Sequence, residues 1–298
     1  MHKQPVDCPL CGSKYFKVIF EPWQNIEDPL KLYGAASSIR GTQRIVKCLA
    51  CNMIFENPRF PDEVIFEGYR ASSESEHDSQ FMRRADTFHN ALQTIASDLP
   101  PKGSKIIDFG CAGGAFLKAA TDFGYDAHGI EISQNLVDQA AKRGLKVTQG
   151  SVTSVKFSEN EFHMASLWDV LEHTPNPQET LKNAFKLLKK NGILLLTYPD
   201  IGTSQARLFG SNFWWLLSGH LHYFTGKTIR KLVEQCGFEI LRYSRYRQTL
   251  QIGYLQDIAI RLQIPGSRLL KEITPRFIQN ADLTYYASQT LVVARVKS

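Results

Sequence analysis

The alternation of apolar and polar positions divides the chain into unequal textures. Between residues 105 and 198, short apolar runs alternate with amphipathic stretches. Residues 105–109, 127–132, 146–149, 162–167 and 193–198 read as strands, the last leucine-rich enough for a position buried on both faces. Between them the spacing predicts a helix over 115–123 that stops at Gly124. A second helix runs to Arg143 and stops at Gly144, with Ser133 as its candidate cap. Asn176-Pro177-Gln178-Glu179 combines an N-cap, a first-turn proline and a glutamate three residues after the cap, so a third helix starts there. Its apolar face is Leu181, Phe185 and Leu188, and Asn191-Gly192 closes it. Strands alternating with helices in this way predict an α/β fold with a parallel, doubly wound sheet.

The flanks differ. Residues 1–58 hold four of the six cysteines and many turn residues. Residues 59–103 pass a polar run from Ala71 to Gln80, show a helical pattern (Phe81, Ala85, Phe88, Leu92, Ile95) and end at Pro100-Pro101-Lys102-Gly103. Beyond Pro199 comes an aromatic stretch, Phe213-Trp214-Trp215, then a helix over 228–236 stopped by Gly237 and a strand over 239–246. Residues 250–285 read as an insertion with an amphipathic helix (Ile252, Leu255, Ile258, Leu262), before a last strand at 289–296. The expected division is a cysteine-rich unit (1–58), a linker and helical cover (59–103), and an α/β domain (104–298) with a lid insertion at about 250–285.

With 298 residues, 43% of them hydrophobic, the chain can bury a core, which excludes a fibrous or wholly disordered protein. Its net charge of +6 permits an acidic partner without requiring one. Phe213 to Leu217 is among the longest apolar runs, far short of the roughly 18 residues that a spanning helix needs. MHKQPVDCPLCG offers no secretory pattern, so a cytoplasmic, reducing setting is expected, with the cysteines unpaired.

Cys8-Pro-Leu-Cys11 and Cys48-Leu-Ala-Cys51 are two C-x2-C knuckles with 36 residues between them. Each knuckle brings two thiolates to one ion from a tight turn, and two knuckles complete a closed, structural zinc site. Two unrelated turns or a redox pair are the competing readings. Cys236 reads as a packing residue.

Asp108-Phe109-Gly110-Cys111-Ala112-Gly113-Gly114 follows a strand and opens a helix, where backbone N–H groups can meet a ligand. The dinucleotide fingerprint G-x-G-x-x-G fails, because Ala112 and Ala115 hold its second and third positions. Glu131 ends the second strand, placed to accept from ribose hydroxyls. A carboxylate at Asp108 would repel a pyrophosphate and suits a cation. That contrast favours a sulfonium nucleoside over NAD.

On these motifs the chain resembles the class I S-adenosylmethionine-dependent methyltransferases that carry an N-terminal zinc ribbon. The matching stretches are CPLCG…VKCLACNMIFENPR, IIDFGCAGGAF, HGIEIS, LWDVLEHTPNP, LKKNGILLLTYPD and HLHYFT. The resemblance implies a Rossmann-like, seven-stranded sheet with the last strand antiparallel. It also implies S-adenosylmethionine as cofactor, held by Asp108, Gly110, Cys111, Ala112, Gly114, Glu131, Ile132, Ser151, Val152, Leu167, Trp168 and Asp169. Two departures stand out: Ala112 replaces the family's second glycine, which is tolerated if its φ is negative, and Gly150-Ser151-Val152 offers adenine only a hydroxyl.

The acceptor side is then expected around Asp169, Glu172, His173 and the later His220-Leu221-His222-Tyr223. Alternation in an extended loop would put His220 and His222 on one side. One of them is the expected general base, with His173 next. Trp214 and Trp215 read as pocket walls. Some related O- and RNA methyltransferases hold a divalent ion on an acid-x-x-Glu-His cluster plus a later histidine, so the same residues carry a metal reading too. The expected acceptor is a small molecule: a sugar, a glycan precursor or another secondary metabolite. Competing readings are an NAD(P)-dependent sugar-modifying enzyme and a nucleic-acid-binding or RNA-modifying protein using the ribbon. Against the last, residues 1–60 carry eight Lys/Arg and five Asp/Glu without a dense basic stripe, so nucleic acid is not the expected partner. The insertion, with Arg268, Lys271 and Arg276, reads as a lid, or as a face that touches a membrane surface.

Overall fold

A computed structural model describes residues 2–26, 28–34, 39–71, 79–152, 154 and 157–297. In chain order the strands are β1 (Phe16–Phe20), β2 (Ile45–Cys48), β3 (Ile54–Glu56), β4 (Lys105–Phe109), β5 (Asp126–Glu131) and β6 (Lys146–Gln149). They continue with β7 (Phe162–Trp168), β8 (Leu188–Pro199), β9 (His222–Tyr223), β10 (Phe238–Gln251) and β11 (Asp282–Val296). The α-helices are α1 (Asp62–Arg70), α2 (Phe81–Thr94), α3 (Ala115–Phe123), α4 (Gln134–Lys142) and α5 (Pro177–Leu187). After them come α6 (Ser204–Phe209), α7 (Gly226–Gln235), α8 (Ile252–Arg261), α9 (Ser267–Ile273) and α10 (Arg276–Gln279). Most of the predicted polar run from Ala71 to Gln80 lies outside the described residues.

Seven strands form one sheet in the order β10-β11-β8-β7-β4-β5-β6. The pairs among β8, β7, β4, β5 and β6 are parallel, while β11 runs antiparallel to both its neighbours. The expected sheet is therefore present. The order reverses beside β4, whose carboxyl end meets that of β7, and a ligand crevice belongs at such a switch point. Leu194, Leu195, Leu196 and Tyr198 of β8 are fully buried, as a central strand covered by helices on both faces requires.

Local rules account for most helix ends. Asn176 Oδ1 accepts from the Glu179 N–H at 3.1 Å and Pro177 takes the first turn of α5. Thr225 and Thr228 form a reciprocal capping box that starts α7 at Gly226, two residues before the predicted 228. Two expectations need correction. Ser133 stands at the N-cap of α4 but makes no side-chain cap bond. Leu188 does not continue α5; it opens β8 opposite Phe162, and Asn191, at φ +61°, lies inside that bent strand. Leu188 is buried in the same core cluster as Phe162, so tertiary packing overrides the helical spacing.

The antiparallel pair β10–β11 outruns both predicted strands. It pairs from Phe238↔Val296 to Gln251↔Asp282, with register shifts between Ile240 and Arg242 and between Tyr246 and Gln248, whereas β8 follows β11 only from Ile193↔Arg295 to Pro199↔Gln289. The outer part is thus a two-stranded arm that extends beyond the sheet and carries α8, α9 and α10. Its residues show little strand periodicity because the arm has few buried positions.

A second sheet has the order β1-β2-β3-β9. Its edge strand comes from residues 222–223, which pair as Ile54↔Tyr223 and Phe55↔His222. Cys8, Leu10, Cys48, Met53 and Phe55 share one core cluster with Leu171, Leu181 and Phe224. The cysteine-rich region is thereby packed directly onto the start of α5 and the loop before it. Gln178 and Arg59 add hydrogen bonds to the Leu10 and Pro175 carbonyls. No helix among the described residues is long and apolar enough to cross a membrane.

Candidate active site

The carboxyl ends of β4 to β7 open into a cavity of about 780 Å3, well inside the range of roughly 300–1,000 Å3 of small-molecule sites. Gly110, Ala112, Glu131, Ile132, Ser151, Val152, Trp168, Asp169, His173 and His220 line it. Asp108 and Cys111 line a smaller cavity beside it, shared with Gly110, Ala112 and Trp168. Gly114, Leu167 and His222 line neither.

The turn after β4 is fastened to β5. The Gly110 and Cys111 N–H groups both donate to the Ile130 carbonyl, at 2.8 and 3.1 Å. Gly114, at φ +88°, must stay glycine, since a Cβ would lie 2.4 Å from Leu145 Cδ1. Ala112 does not meet the condition set for tolerating it: its φ is +47°, in the left-handed region. A non-glycine residue pays about 1–2 kcal/mol there. The conformation aims the Ala112 N–H at Glu131 Oε2, 2.9 Å away, while Glu131 Oε1 accepts from the Ser133 N–H at 3.0 Å. One carboxylate therefore holds the turn after β4 and the entry to α4 at once.

Asp108 is buried, and its Oδ1 accepts from the Ser166 hydroxyl at 2.6 Å. Burial pushes its carboxyl up to about 8, with the Glu131 charge acting in the same direction and Ser166 opposing. Burial likewise raises the Cys111 thiol well above its ordinary value, aided by both carboxylates. Such a thiol packs and does not react at neutral pH.

Trp168, the last residue of β7, is boxed by Phe88, Phe116 and Tyr246 with ring centroids 4.9, 5.1 and 5.6 Å away. Asp169 sits at φ +54° with both oxygens engaged, Oδ1 by the Thr197 hydroxyl at 2.8 Å and Oδ2 by the Gln289 amide at 2.7 Å. Burial raises its pKa, against Thr197, Arg84 and Gln289. Asp169 thus ties β7 to β8 and β11.

Behind it lies a cluster of three side chains. Glu172, His173 and His220 each offer a ligand atom, all within 4.8 Å of one another. Neither oxygen of the buried Glu172 carboxyl, nor His220 Nδ1, has a hydrogen-bond partner among the described residues. Burial drives Glu172 well above the carboxylate range, with the Asp169 charge adding to it, and drives His220 well below the imidazole range. His173 Nδ1 lies 3.0 Å from the Gly219 carbonyl and 2.7 Å from the Tyr69 hydroxyl. A carbonyl only accepts, so Nδ1 carries the proton and Nε2 keeps its lone pair. Burial lowers His173 to about 4, so the ring is neutral at pH 7.

His222 departs from the alternation argument. It belongs to β9, its Nε2 meets the Thr174 carbonyl at 3.0 Å, and it does not share the cavity with His220. Burial brings it down to about 3, with Arg59 contributing. The bend at the Leu221 and His222 N–H groups, which both donate to the Glu172 carbonyl, breaks the extended run that the alternation assumed. Trp214 and Trp215 line the cavity and donate to the Ala287 carbonyl of β11. Tyr69 and Arg84 were invisible in the sequence reading. They come from α1 and α2, and no motif marks them.

The four N-terminal cysteines form a separate cluster, with all four sulfurs within 4.8 Å of one another. Cys8 Sγ is 3.5 Å from Cys51 Sγ, and Cys11 Sγ is 3.7 Å from Cys48 Sγ. Tetrahedral zinc with Zn–S near 2.3 Å puts sulfurs about 3.8 Å apart. The knuckles are alike in backbone: Gly12 N–H donates to the Cys8 carbonyl at 2.8 Å and Asn52 N–H to the Cys48 carbonyl at 3.0 Å. Gly12 and Asn52 both have positive φ, +71° and +64°. The donor set is compatible with a zinc ribbon.

A switched, seven-stranded α/β sheet with a cavity at its carboxyl edge and a carboxylate at the end of β5 defines a class I methyltransferase fold. The chain belongs to the methyltransferase domain family, which matches residues 79–243. The ubiquinone biosynthesis O-methyltransferase of Coxiella burnetii is 27% identical over 112 residues, 36% of this chain and 48% of that protein. Its Methylococcus capsulatus counterpart is 27% identical over 113 residues, with the same coverage. The chain spans about half the length of these relatives. Among solved structures, a SAM-dependent methyltransferase from Thermotoga maritima covers 75% of this chain with 95% of its own, at 19% identity and a TM-score of 0.50. A Bacillus halodurans protein assigned as a methyltransferase covers 70% with 99% of its own, at 17% identity and a TM-score of 0.54. The fold and the methyltransferase domain family expected from the sequence are thereby borne out.

Proposed function

We propose that the protein transfers the methyl group of S-adenosylmethionine to a hydroxyl of a small-molecule acceptor. The observation that carries this reading is the neutral His173, proton fixed on Nδ1, in the same cavity as Glu131 and Trp168. Glu131, at the end of β5 and lining the cavity, is placed to accept from the ribose hydroxyls, and Ile132, Ser151 and Val152 flank the adenine. Ala112 and Gly110 face the amino-acid end, where Arg84, near the buried Asp169, supplies a cation for the carboxylate. Asp108, which lines the smaller neighbouring cavity, favours the positive charge of the sulfonium when ionised.

Reaction at the methyl carbon is an in-line displacement, and positioning supplies much of the rate. The acceptor oxygen attacks the methyl carbon, the carbon–sulfur bond breaks, and the hydroxyl proton passes to His173 Nε2. His220 lies within reach as an alternative base, since its Nδ1 is also unprotonated if its donated bond goes to the Trp215 carbonyl. This ordering reverses the expectation that put His220 and His222 first. Phe66, Trp214, Trp215, Tyr246 and Tyr254 wall the acceptor end and suit a ring-shaped body, whether aromatic or sugar. The name of the relatives supports oxygen as the atom methylated.

A second reading of the cluster has a specific observation behind it. Three buried acceptor atoms without donors, two on Glu172 and one on His220, suit a divalent cation held together with His173. The cation would then polarise the acceptor hydroxyl and lower its pKa. Zinc on Cys8, Cys11, Cys48 and Cys51 is the structural metal in either reading.

Calorimetry with S-adenosylhomocysteine, followed by label transfer from S-adenosylmethionine to a panel of phenols and sugars, tests the assignment. Tight binding of NAD with none of S-adenosylhomocysteine would overturn it. Chelator treatment separates the two readings of the cluster: turnover that survives while only the four-thiolate metal remains rules out the second.

A further inference from the structure

The arm beyond the sheet carries a surface that the reaction does not use. Seven of the sixteen large hydrophobic side chains exposed among the described residues fall within residues 264–283. Such crowding in so short a stretch marks a contact surface and not the scattered apolar exposure of an ordinary exterior. Leu269, Leu270, Ile273 and Phe277 are the most prominent, at 62, 55, 67 and 76% exposed. Arg268 and Arg276, both exposed, lie among them on α9 and α10, while Lys271 is paired with Asp257 of α8, and Glu272 is the one carboxylate of these two helices.

We propose that α9 and α10 dock on the anionic surface of a lipid bilayer, with Leu269, Leu270, Ile273 and Phe277 entering the acyl boundary and the cations facing the headgroups. Three features favour this occupant. A lid that merely closes over the cavity needs one apolar face, and α8 already supplies it: Tyr254, Leu255, Ile258 and Ala259 line the cavity from inside. The outer apolar face is then surplus to closure. A second copy of the chain is disfavoured by charge, because a two-fold contact would bring like cationic faces together. Finally, the docking face runs into the cavity at Ile264, which lines the cavity and is also 45% exposed. An amphiphilic acceptor could pass from the bilayer to the site without crossing water. The docking itself stands whatever the acceptor proves to be.

Flotation of the whole protein with vesicles tests the proposal. Vesicles mixing phosphatidylcholine and phosphatidylglycerol should carry the protein upward, and phosphatidylcholine vesicles should carry far less. Leu269→Asp with Phe277→Asp should reduce partitioning at least about tenfold on both kinds of vesicle. Arg268→Glu with Arg276→Glu should reduce it only on the anionic ones, by about fivefold for each cation lost. All four positions are exposed, so thermal unfolding should be unchanged and serves as the folding control. Binding that is equal for both vesicle types, or absent from both, overturns the proposal. So does a dimer in light scattering that the Leu269→Asp, Phe277→Asp variant dissolves.

Discussion

The two ends of the cavity are built in opposite ways. The end proposed for the cofactor comes from three strand ends close in sequence, with Gly110 and Ala112 after β4, Glu131 ending β5 and Ser151 after β6. The end proposed for the acceptor gathers Tyr69, His173, Trp215, His220 and Tyr254 from α1, two loops and the arm. In the first, backbone N–H groups and one carboxylate do the positioning, so side-chain identity matters at few places. In the second, side chains face side chains, and several buried polar atoms lack partners among the described residues. A rigid cofactor cradle paired with an acceptor end assembled from separate segments lets acceptor choice change without disturbing the cofactor.

The largest effects should come from variants that hit one end alone. Glu131→Ala removes the acceptor of two ribose hydroxyls, and charged hydrogen bonds at about 1.5–3 kcal/mol each predict more than a hundredfold loss of S-adenosylhomocysteine affinity by calorimetry. His173→Ala should instead cut turnover by about 10²–10⁴-fold with cofactor affinity nearly unchanged. With His173 held at about 4, wild-type turnover should show no histidine limb between pH 7 and 5. If the two variants give the same phenotype, the ends are not separable.

Next is Cys48→Ser. The cysteine-rich sheet takes β9 from the segment that carries His220, so losing the proposed zinc should disturb the proposed acceptor end more than the cradle. Metal analysis should show zinc lost, with methyl transfer largely abolished and cofactor affinity changed only a few-fold. Full turnover in the zinc-free variant would uncouple the two.

A smaller effect concerns pH. Asp108 is held at about 8, above its unfolded value, so its contribution to stability is complete in acid and is lost as pH rises through about 8. A cationic ligand favours the ionised form. Cofactor affinity should therefore fall by up to about tenfold per pH unit below 8, with proton release on binding. Asp108→Asn should flatten that dependence, and a parallel slope in the variant would assign it to another group.

The smallest effect expected is from Ala112→Gly. Relief of the left-handed strain is worth about 1 kcal/mol less the added chain entropy, and should raise Tm by no more than about 2–4 °C. A lower Tm would mean that the entropy cost exceeds the strain.

By itself the sequence determined the parallel sheet from 105 to 198, the Gly-rich turn, the carboxylate at Glu131 and the two cysteine knuckles. Each is a local pattern: strand and helix periods, caps at Asn176 and Gly124, thiolates three apart in a turn. Tertiary structure alone decided the rest. It bent Leu188 into a strand because Phe162 buries it, turned His222 away by pairing it with Phe55, and fixed the His173 tautomer through Gly219, 46 residues later. It also drew the ends of β10 and β11 into an arm whose polar sequence carries no strand signal. Hydrogen bonding within a strand or turn leaves a period in the chain, whereas burial and long-range pairing depend on neighbours that no local pattern names.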